Sequence, residues 1–483
     1  ILPGSSDMTI QGRLVSDGRL GLVTTADGQS ARQIVVGGTA KVDGSVLVPV
    51  NGNLYLPKVN YSFLTAAGGI TGTMTTAFSG LLNAELTASA DGRTETAVLR
   101  AADNVGGLQE GQLEALRSLE QLSVNTFADS AKRSQVQALL LSSGDTARTA
   151  LQSVANNMNA DSAALTISST AAMSAIGARA SYLHSTGTLS GASRARAEEE
   201  TTKSSRIIPL EVSPTTSGWL KFSKSWERLG HGTTSGQGYT TSIGFDHKVN
   251  ADWKVGEFLS YGRNGFQTST STLDNSDTRL GIYGIREHGA DQTYVYFDAG
   301  RQNNTGRRSV TSVEGSYTAA SRYQSRTLEL GAEYSHDIDY GKTQSWHRKP
   351  YVAAQVVRYQ QDGFTESGAG AWNQQSAAEN VTYSALSAGM GVERRTANDE
   401  VELRLGVKHV LTGSDPSTPV SFADAGGQTF TVRGSNLDKN LLVVGVHAGQ
   451  EQEDGWRLEG DLALERGHSE QNIQASVMLK KTW

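Results

Sequence analysis

The sequence predicts a mainly β chain. A transmembrane antiparallel barrel of twelve strands ends it, preceded by a helical segment and, before that, by the C-terminal piece of a β-solenoid. Three observations predict the barrel. From Gly218 to Trp483 apolar and polar residues alternate with a period of two, as in Val401, Leu403, Leu405 and Val407 against Glu402, Arg404, Gly406 and Lys408. These runs extend over about ten to fourteen residues, whereas strands of water-soluble sheets average about five or six. Finally, the connections between them alternate short and long, and the polar parity mixes both charge signs with Gly.

Composition agrees with this class. The 483 residues include 53 Gly, 8 Pro and no Cys, with 37% hydrophobic and 19% charged residues and a net charge of −6. No window approaches the ~18 consecutive apolar residues of a membrane-spanning helix, which excludes an α-helical membrane protein but not a barrel. Zero Cys removes disulfide frameworks, thiol nucleophiles and Cys-ligated zinc or iron–sulfur sites, and suits export of an unfolded chain. The acidic balance offers no footprint for nucleic acid, and no cofactor motif is present. Ile1-Leu2-Pro3 carries neither an initiator Met nor a signal peptide, so the expectation is the C-terminal part of a longer chain.

Residues 1–102 hold short β runs (Gln33-Ile-Val-Val-Gly, Ser45-Val-Leu-Val-Pro) punctuated by Asp17-Gly18, Asp27-Gly28, Asp43-Gly44 and Asn51-Gly52. Coils of roughly 20 residues fit the end of a solenoid, and a compact sandwich fits the same runs. Residues 103–183 turn helical: Leu113, Leu116, Leu119 and Leu122 recur near helical spacing, followed by Val136, Leu139, Leu140, Ala147 and Leu151. Gly144-Asp-Thr opens a helix. Asp161 to Leu183 is a further, slender candidate helix rich in Ala, Gly and Ser. Residues 184–217 lack periodicity and read as a linker, leaving 218–483 for the barrel.

Within the barrel, short turns are expected at Asn250-Ala-Asp, His288-Gly-Ala-Asp, Ile338–Arg348, Thr396-Ala-Asn-Asp and Glu451-Gln-Glu-Asp-Gly. Long loops are expected at 230–238, 264–276, 303–323, 362–379 and 412–438, with a short connection at 466–470 on the same side. An even strand number closes an antiparallel barrel and leaves no edge. Trp219, Trp226, Trp253, Tyr261, Trp456 and Trp483 sit near strand ends, where an interfacial girdle would place them. Parity nominates Asp246, Lys248, Arg279, Tyr283, Glu329, Glu333, Arg404 and Arg457 as lumen-facing residues.

At this level of detail the chain resembles the C-terminal portion of a classical, type V autotransporter. Tyr61-Ser-Phe-Leu-Thr-Ala-Ala-Gly-Gly-Ile-Thr-Gly is similar to a phrase closing many passenger solenoids, and the small-residue helix ending at Arg179 resembles the helix that threads the pore. Gly244-Phe-Asp246, Gly256 and Tyr261 resemble the second and third barrel strands, and Lys349-Pro-Tyr-Val to Phe364-Thr-Glu a mid-barrel phrase. Trp483, with Leu479 and Val477, matches the terminal signal read by the barrel-assembly machinery; Lys481 departs from it, its parity lipid-facing at the rim where Lys snorkels.

The resemblance implies an outer-membrane translocator that exports and anchors its own passenger, whose last coils act as folding nucleus. It also implies a single-chain barrel whose partners are outer-membrane lipid, the assembly machinery, periplasmic chaperones and the passenger itself. No enzymatic activity is implied for these residues. Asn156-Asn157 is similar to the pair at which some autotransporters cleave themselves, although it lies about sixty residues before the first barrel strand. A helix end is the plainer reading of that pair. The nine His residues are scattered singly, without metal-ligand spacing, and no nucleophile elbow occurs. Two rival readings remain open: an outer-membrane barrel enzyme (protease or phospholipase), and a surface adhesin stalk.

Overall fold

The computed structural model describes residues 1–50, 54–78, 80–126, 128–157, 216–342, 345–396 and 398–483. The chain begins as short parallel strands in three columns. The first column stacks β1 (Met8–Ile10), β4 (Ile34–Val36) and β7 (Asn60–Ala66); the second β2 (Leu14–Val15), β5 (Ala40–Lys41) and β8 (Ile70–Thr71); the third β3 (Arg19–Leu22), β6 (Ser45–Pro49) and β9 (Met74–Thr76). This is solenoid geometry, and it rules out the sandwich. Register sets Met8 beside Ile34 and Ile34 beside Leu64, so each coil is longer than the roughly 20 residues expected. The excess lies in the loops that follow the third column. Asp27-Gly28 and Asp43-Gly44 turn with Gly in the left-handed region (φ +66° and +78°), which explains Gly there. An antiparallel hairpin, β10 (Leu82–Ala88) and β11 (Thr94–Ala101), closes the stack against β7.

Leu20, Leu22, Ile34, Leu47, Phe63, Leu64 and Leu99 fill the solenoid. Two tyrosines tie its loops to it. Tyr55 donates its hydroxyl to the Leu22 carbonyl (2.7 Å) and accepts from the Val50 amide (2.6 Å). Tyr61 donates to Gly28 (2.8 Å) and accepts from Leu56 (2.8 Å). Burial pushes both hydroxyls up to about 12. A raised folded value favours the neutral form, so this contribution is complete below about pH 10 and is lost as pH climbs towards 12. Alkaline titration should therefore open the solenoid in that window while the barrel stays closed. Tyrosinate absorbance alongside protease sensitivity of residues 1–102 checks this, and solenoid loss already complete at pH 9 would contradict it.

Among the described residues three helices follow, α1 (Glu110–Asn125), α2 (Ser130–Leu140) and α3 (Gly144–Ala155). Asp129 caps α2 by accepting from the Ala131 and Lys132 amides, both at 3.1 Å. The predicted apolar stripe (Leu116, Leu119, Leu122, Val136, Leu139, Leu140, Ala147, Leu151) is buried, with Leu113 half-buried. The candidate helix 161–183 and the linker up to residue 215 lie outside the described residues. The first barrel strand starts at Thr216, two residues earlier than expected.

Twelve antiparallel strands then close a barrel: β12 (Thr216–Leu229), β13 (Thr234–Lys248), β14 (Trp253–Gln267), β15 (Ser271–His288), β16 (Asp291–Ser312), β17 (Gly315–His336), β18 (His347–Gln361), β21 (Glu379–Arg395), β22 (Asp399–Thr412), β25 (Asn440–Glu451), β26 (Trp456–Arg466) and β27 (Gln471–Thr482). β27 pairs with β12, which closes the ring. Between β18 and β21 lie β19 (Phe364–Thr365) and β20 (Gln374–Ser376); between β22 and β25 lie β23 (Ser417–Phe422) and β24 (Thr429–Arg433). These four form a separate small sheet. Among the described residues no helix is long and apolar enough to cross a membrane.

Two expectations need correction here. Strands are longer than expected, with β16 and β17 at 22 residues each. Three of the five long loops are mostly ladder: 303–323 pairs on to Ser312↔Gly315, 264–276 to Gln267↔Thr272, and 230–238 leaves four unpaired residues. Polar residues pair as well as apolar ones once beyond the lipid, so their composition disguised strand as loop. Only 362–379 and 412–438 are long connections, and they carry the small sheet.

Candidate functional site

Alternation decides which side chains meet inside the barrel. All the nominated lumen residues except Lys248 are buried inside; Lys248 shares their parity but is half-buried at the end of β13. Arg279 on β15 donates Nε to Asp277 (2.6 Å) and Nη1 to Asp298 on β16 (3.1 Å) and Glu329 on β17 (3.4 Å). Tyr296 and Gln355 also donate to Glu329, both at 2.7 Å, so this network joins four adjacent strands.

Arg404 on β22 pairs with Glu333 on β17 (2.8 Å) and lies 3.9 Å over the Tyr351 ring. Arg457 on β26 reaches Glu400 (2.8 Å), Glu451 (3.1 Å) and Glu459 (2.7 Å). Lys349 pairs with Glu393 and Lys408 with Glu465. Lys254 faces Asp246 (3.4 Å), which accepts the Tyr283 hydroxyl (3.3 Å). Buried charges persist when paired and hydrogen-bonded. The wall is thus polar, mixed in sign and extensively ion-paired.

Trp219 corrects the expected girdle. It is buried in the lumen and donates its indole N–H to Tyr283 (3.1 Å). Trp226, Tyr261, Trp456 and Trp483 are outward and exposed, and Trp253 is half-buried. Sequence reasoning missed what Trp219 does with other inward aromatics: each lies across a glycine on the neighbouring strand. A Cβ on Gly256 would meet the Tyr283 ring at 2.2 Å, and one on Gly331 the Tyr296 ring at 2.2 Å. Both pairs are directly opposed in register, a signal that inward Gly beside inward Tyr could have given. Lys481 bonds the Asp454 carbonyl in the turn below it, with its ammonium 5.3 Å from the Trp456 ring.

The mouth on the long-connection side is covered. Leu116, Leu119, Leu122, Val136, Leu139 and Leu151 share one core with Phe364, Trp372, Phe422 and Phe430 of the small sheet and its loops. α1 lies so close to β24 that a Cβ on Gly111 would meet the Thr431 carbonyl oxygen at 1.9 Å. α2 faces two ways: Gln137 donates to the Tyr55 carbonyl of the solenoid (2.8 Å), while Gln135 accepts from the Ala371 amide of the barrel loop (2.9 Å).

At the end of α3 sits a buried polar node. Arg308 of β16 pairs with Glu366 (2.6 Å), donates to the Ser153 and Val154 carbonyls (3.3 Å each) and donates to Trp372 (2.9 Å). A cation there satisfies orphan carbonyls and complements the helix dipole. Gln374 donates to Val154 (2.7 Å) and accepts from the Asn157 side chain (2.7 Å). Asn156 and Asn157 therefore sit at this mouth, with Asn157 fastened to the loop. Thr216, the next described residue, pairs with His247 beside the short turn at the opposite end of the barrel.

A closed barrel with an outward apolar band and an inward ion-paired wall is an outer-membrane β-barrel. The family model for the autotransporter β-domain matches residues 216–463, more than half of the 483 residues, and the chain belongs to that family. Its barrel is an outer-membrane translocator. Among solved structures it is similar to the translocator domain of the autotransporter NalP from Neisseria meningitidis (15% identity, TM-score 0.47, covering 62% of this chain and 97% of that one). It is also similar to the β domain of the Bordetella autotransporter Brka (10%, TM-score 0.41, 56% and 100%). The transport unit of AIDA-I from Escherichia coli is a further likeness (11%, TM-score 0.37, 61% and 99%). No curated protein matches the chain.

Proposed function

We propose that the barrel exports the N-terminal part of its own chain and holds it at the cell surface, with the solenoid as the nucleus on which exported chain folds. The observation that supports this most is where Asn157 and Thr216 lie. Asn157 is fastened at the long-connection mouth and Thr216 at the opposite, short-turn end of a closed ring, so the chain is held at both ends of the barrel. Short turns face the periplasm in this class of barrel and long connections face out.

A paired, mixed-sign lumen suits passage because it offers an extended polypeptide neither a large apolar surface nor a single-sign field. Parallel coils suit a nucleus because each presents an open edge to the next. On this reading the chain acts as an exporter and anchor and not as an enzyme. Its partners are the lipid, the assembly machinery reading Trp483, Leu479 and Val477 (all outward), periplasmic chaperones and its own passenger.

Protease treatment of intact cells tests orientation. Residues 1–157 should be removed while a heat-modifiable barrel persists in the outer-membrane fraction. Removal only after the outer membrane is permeabilised would overturn the reading.

A further inference from the structure

The outer face of β16, β17 and β18 divides into two zones. Towards the short-turn end it is aliphatic and aromatic: Val295, Phe297, Leu328, Leu330, Val352 and Val356 are all exposed. Immediately above, on the long-connection side, Arg301, Arg326 and Arg358 are exposed on the same outward parity. Arg301 and Arg326 stand directly opposite each other in the ladder. Arg358 stands opposite Leu328, one diagonal step from Arg326. Two further exposed arginines, Arg307 and Arg322, lie higher on the same strands.

Like charges directly opposed across a ladder are unfavourable, and proteins ordinarily relieve them with a carboxylate. None is available. The outward parity of β16 from Thr293 to Thr311, of β17 from Ser316 to Tyr334 and of β18 from Arg348 to Gln360 contains no Asp or Glu. Among the described residues no ion pair involves Arg301, Arg326 or Arg358. Arg301 instead donates to the Gln324 amide (2.7 Å), which donates in turn to Asn303 (3.2 Å).

We propose that this patch is a binding site for a phosphorylated glycolipid of the outer leaflet, acyl chains on the aliphatic zone and phosphate on the arginine triad. The chemistry selects this occupant. Planar guanidinium groups take phosphate oxygens bidentately, and three on adjacent strands bracket a headgroup. A free anion would have no use for the aliphatic surface directly below, and an uncharged lipid none for the arginines. The arginines above an aliphatic zone select an acylated phosphate; the choice of the outer leaflet, and with it of the glycolipid, rests on the proposed orientation with the long connections facing outwards.

The test uses purified full-length chain in detergent, exposed to lipid A, dephosphorylated lipid A, phosphatidylglycerol or inorganic phosphate. Bound lipid is read by native mass spectrometry and stability by the temperature of the heat-modifiable shift. The wild type should retain lipid A, and Arg301→Gln/Arg326→Gln/Arg358→Gln should retain at least about tenfold less. Arg394→Gln, an exposed arginine at the other end of the barrel, should match the wild type.

Should the triple variant not fold, Arg326→Gln alone decides. Relief of the opposed pair should leave it at least as stable as wild type in detergent, yet less stabilised by lipid A. Equal retention by wild type and variant, or equal binding of the dephosphorylated form, overturns the site. Equal binding of phosphatidylglycerol or phosphate overturns the glycolipid. Because the assay has no leaflets, its failure is distinct from a failure of surface exposure in cells.

Discussion

Replacing Arg308 by Met will release α3 and loosen the covering of the mouth while the barrel below stays closed. The guanidinium is buried and holds five oxygens in place: both of Glu366 and the carbonyls of Ser153, Val154 and Trp372. Its loss leaves the Glu366 carboxylate buried without its cation, a change that typically costs about 3–5 kcal/mol. That range raises the population of opened cap on the order of 10²–10⁴-fold, read as faster proteolysis of residues 103–157.

Arg308→Met/Glu366→Leu should recover much of the loss, because an apolar pair replaces an ion pair at little net cost. Unchanged digestion of the single variant would show that the apolar core of α1, α2 and the small sheet holds the cap without the node. If instead the double variant were no better than the single one, the carbonyl contacts would outweigh the ion pair.

Replacing Arg279 by Met should lower the temperature at which the barrel opens, with the cap unaffected at room temperature. Three carboxylates, Asp277, Asp298 and Glu329, converge on this one cation from β15, β16 and β17. Asp277 keeps Gln302 as a donor, and Glu329 keeps Tyr296 and Gln355. Among the described residues Asp298 accepts from no side chain but Arg279, so repulsion and desolvation fall mainly there, and about 3–5 kcal/mol is expected.

Arg279→Lys should be intermediate, since one ammonium cannot span three carboxylates as a planar fork does. Arg279→Met/Asp298→Asn should regain part of the loss. The measurement is the heat-modifiable shift on gels across a temperature series. An Arg279→Met barrel that opens at the wild-type temperature would mean the network adds nothing to closure.

Much of this was legible in the sequence because a strand has a period of two. Arg404 had to face inward once Leu403 and Leu405 faced lipid, and the same parity placed Glu329 beneath Leu328 and Leu330. Strand number followed from counting alternating runs. Parity carries no register, however, and says nothing about which inward groups meet. Trp219 shows the limit: its position near a strand end suggested an interfacial residue, while its parity, shared with Lys221, took it into the lumen over Gly244. The extended hairpins were misjudged for a related reason. Hydrophobicity marks where lipid ends, and β16 and β17 continue pairing past that point.

Local pattern thus determined the barrel, its strand number, the inward parity of the nominated lumen residues and a helical segment ahead of it, because each depends on neighbours within a few positions. The tertiary structure alone decided that the helices cover the mouth, that Arg308 grips the end of α3 across 154 positions of chain, and that Arg301 opposes Arg326. Those contacts join residues far apart in the chain, and no short-range periodicity records them. They depend on register and on how loops fold back over the ring, which only the closed barrel sets.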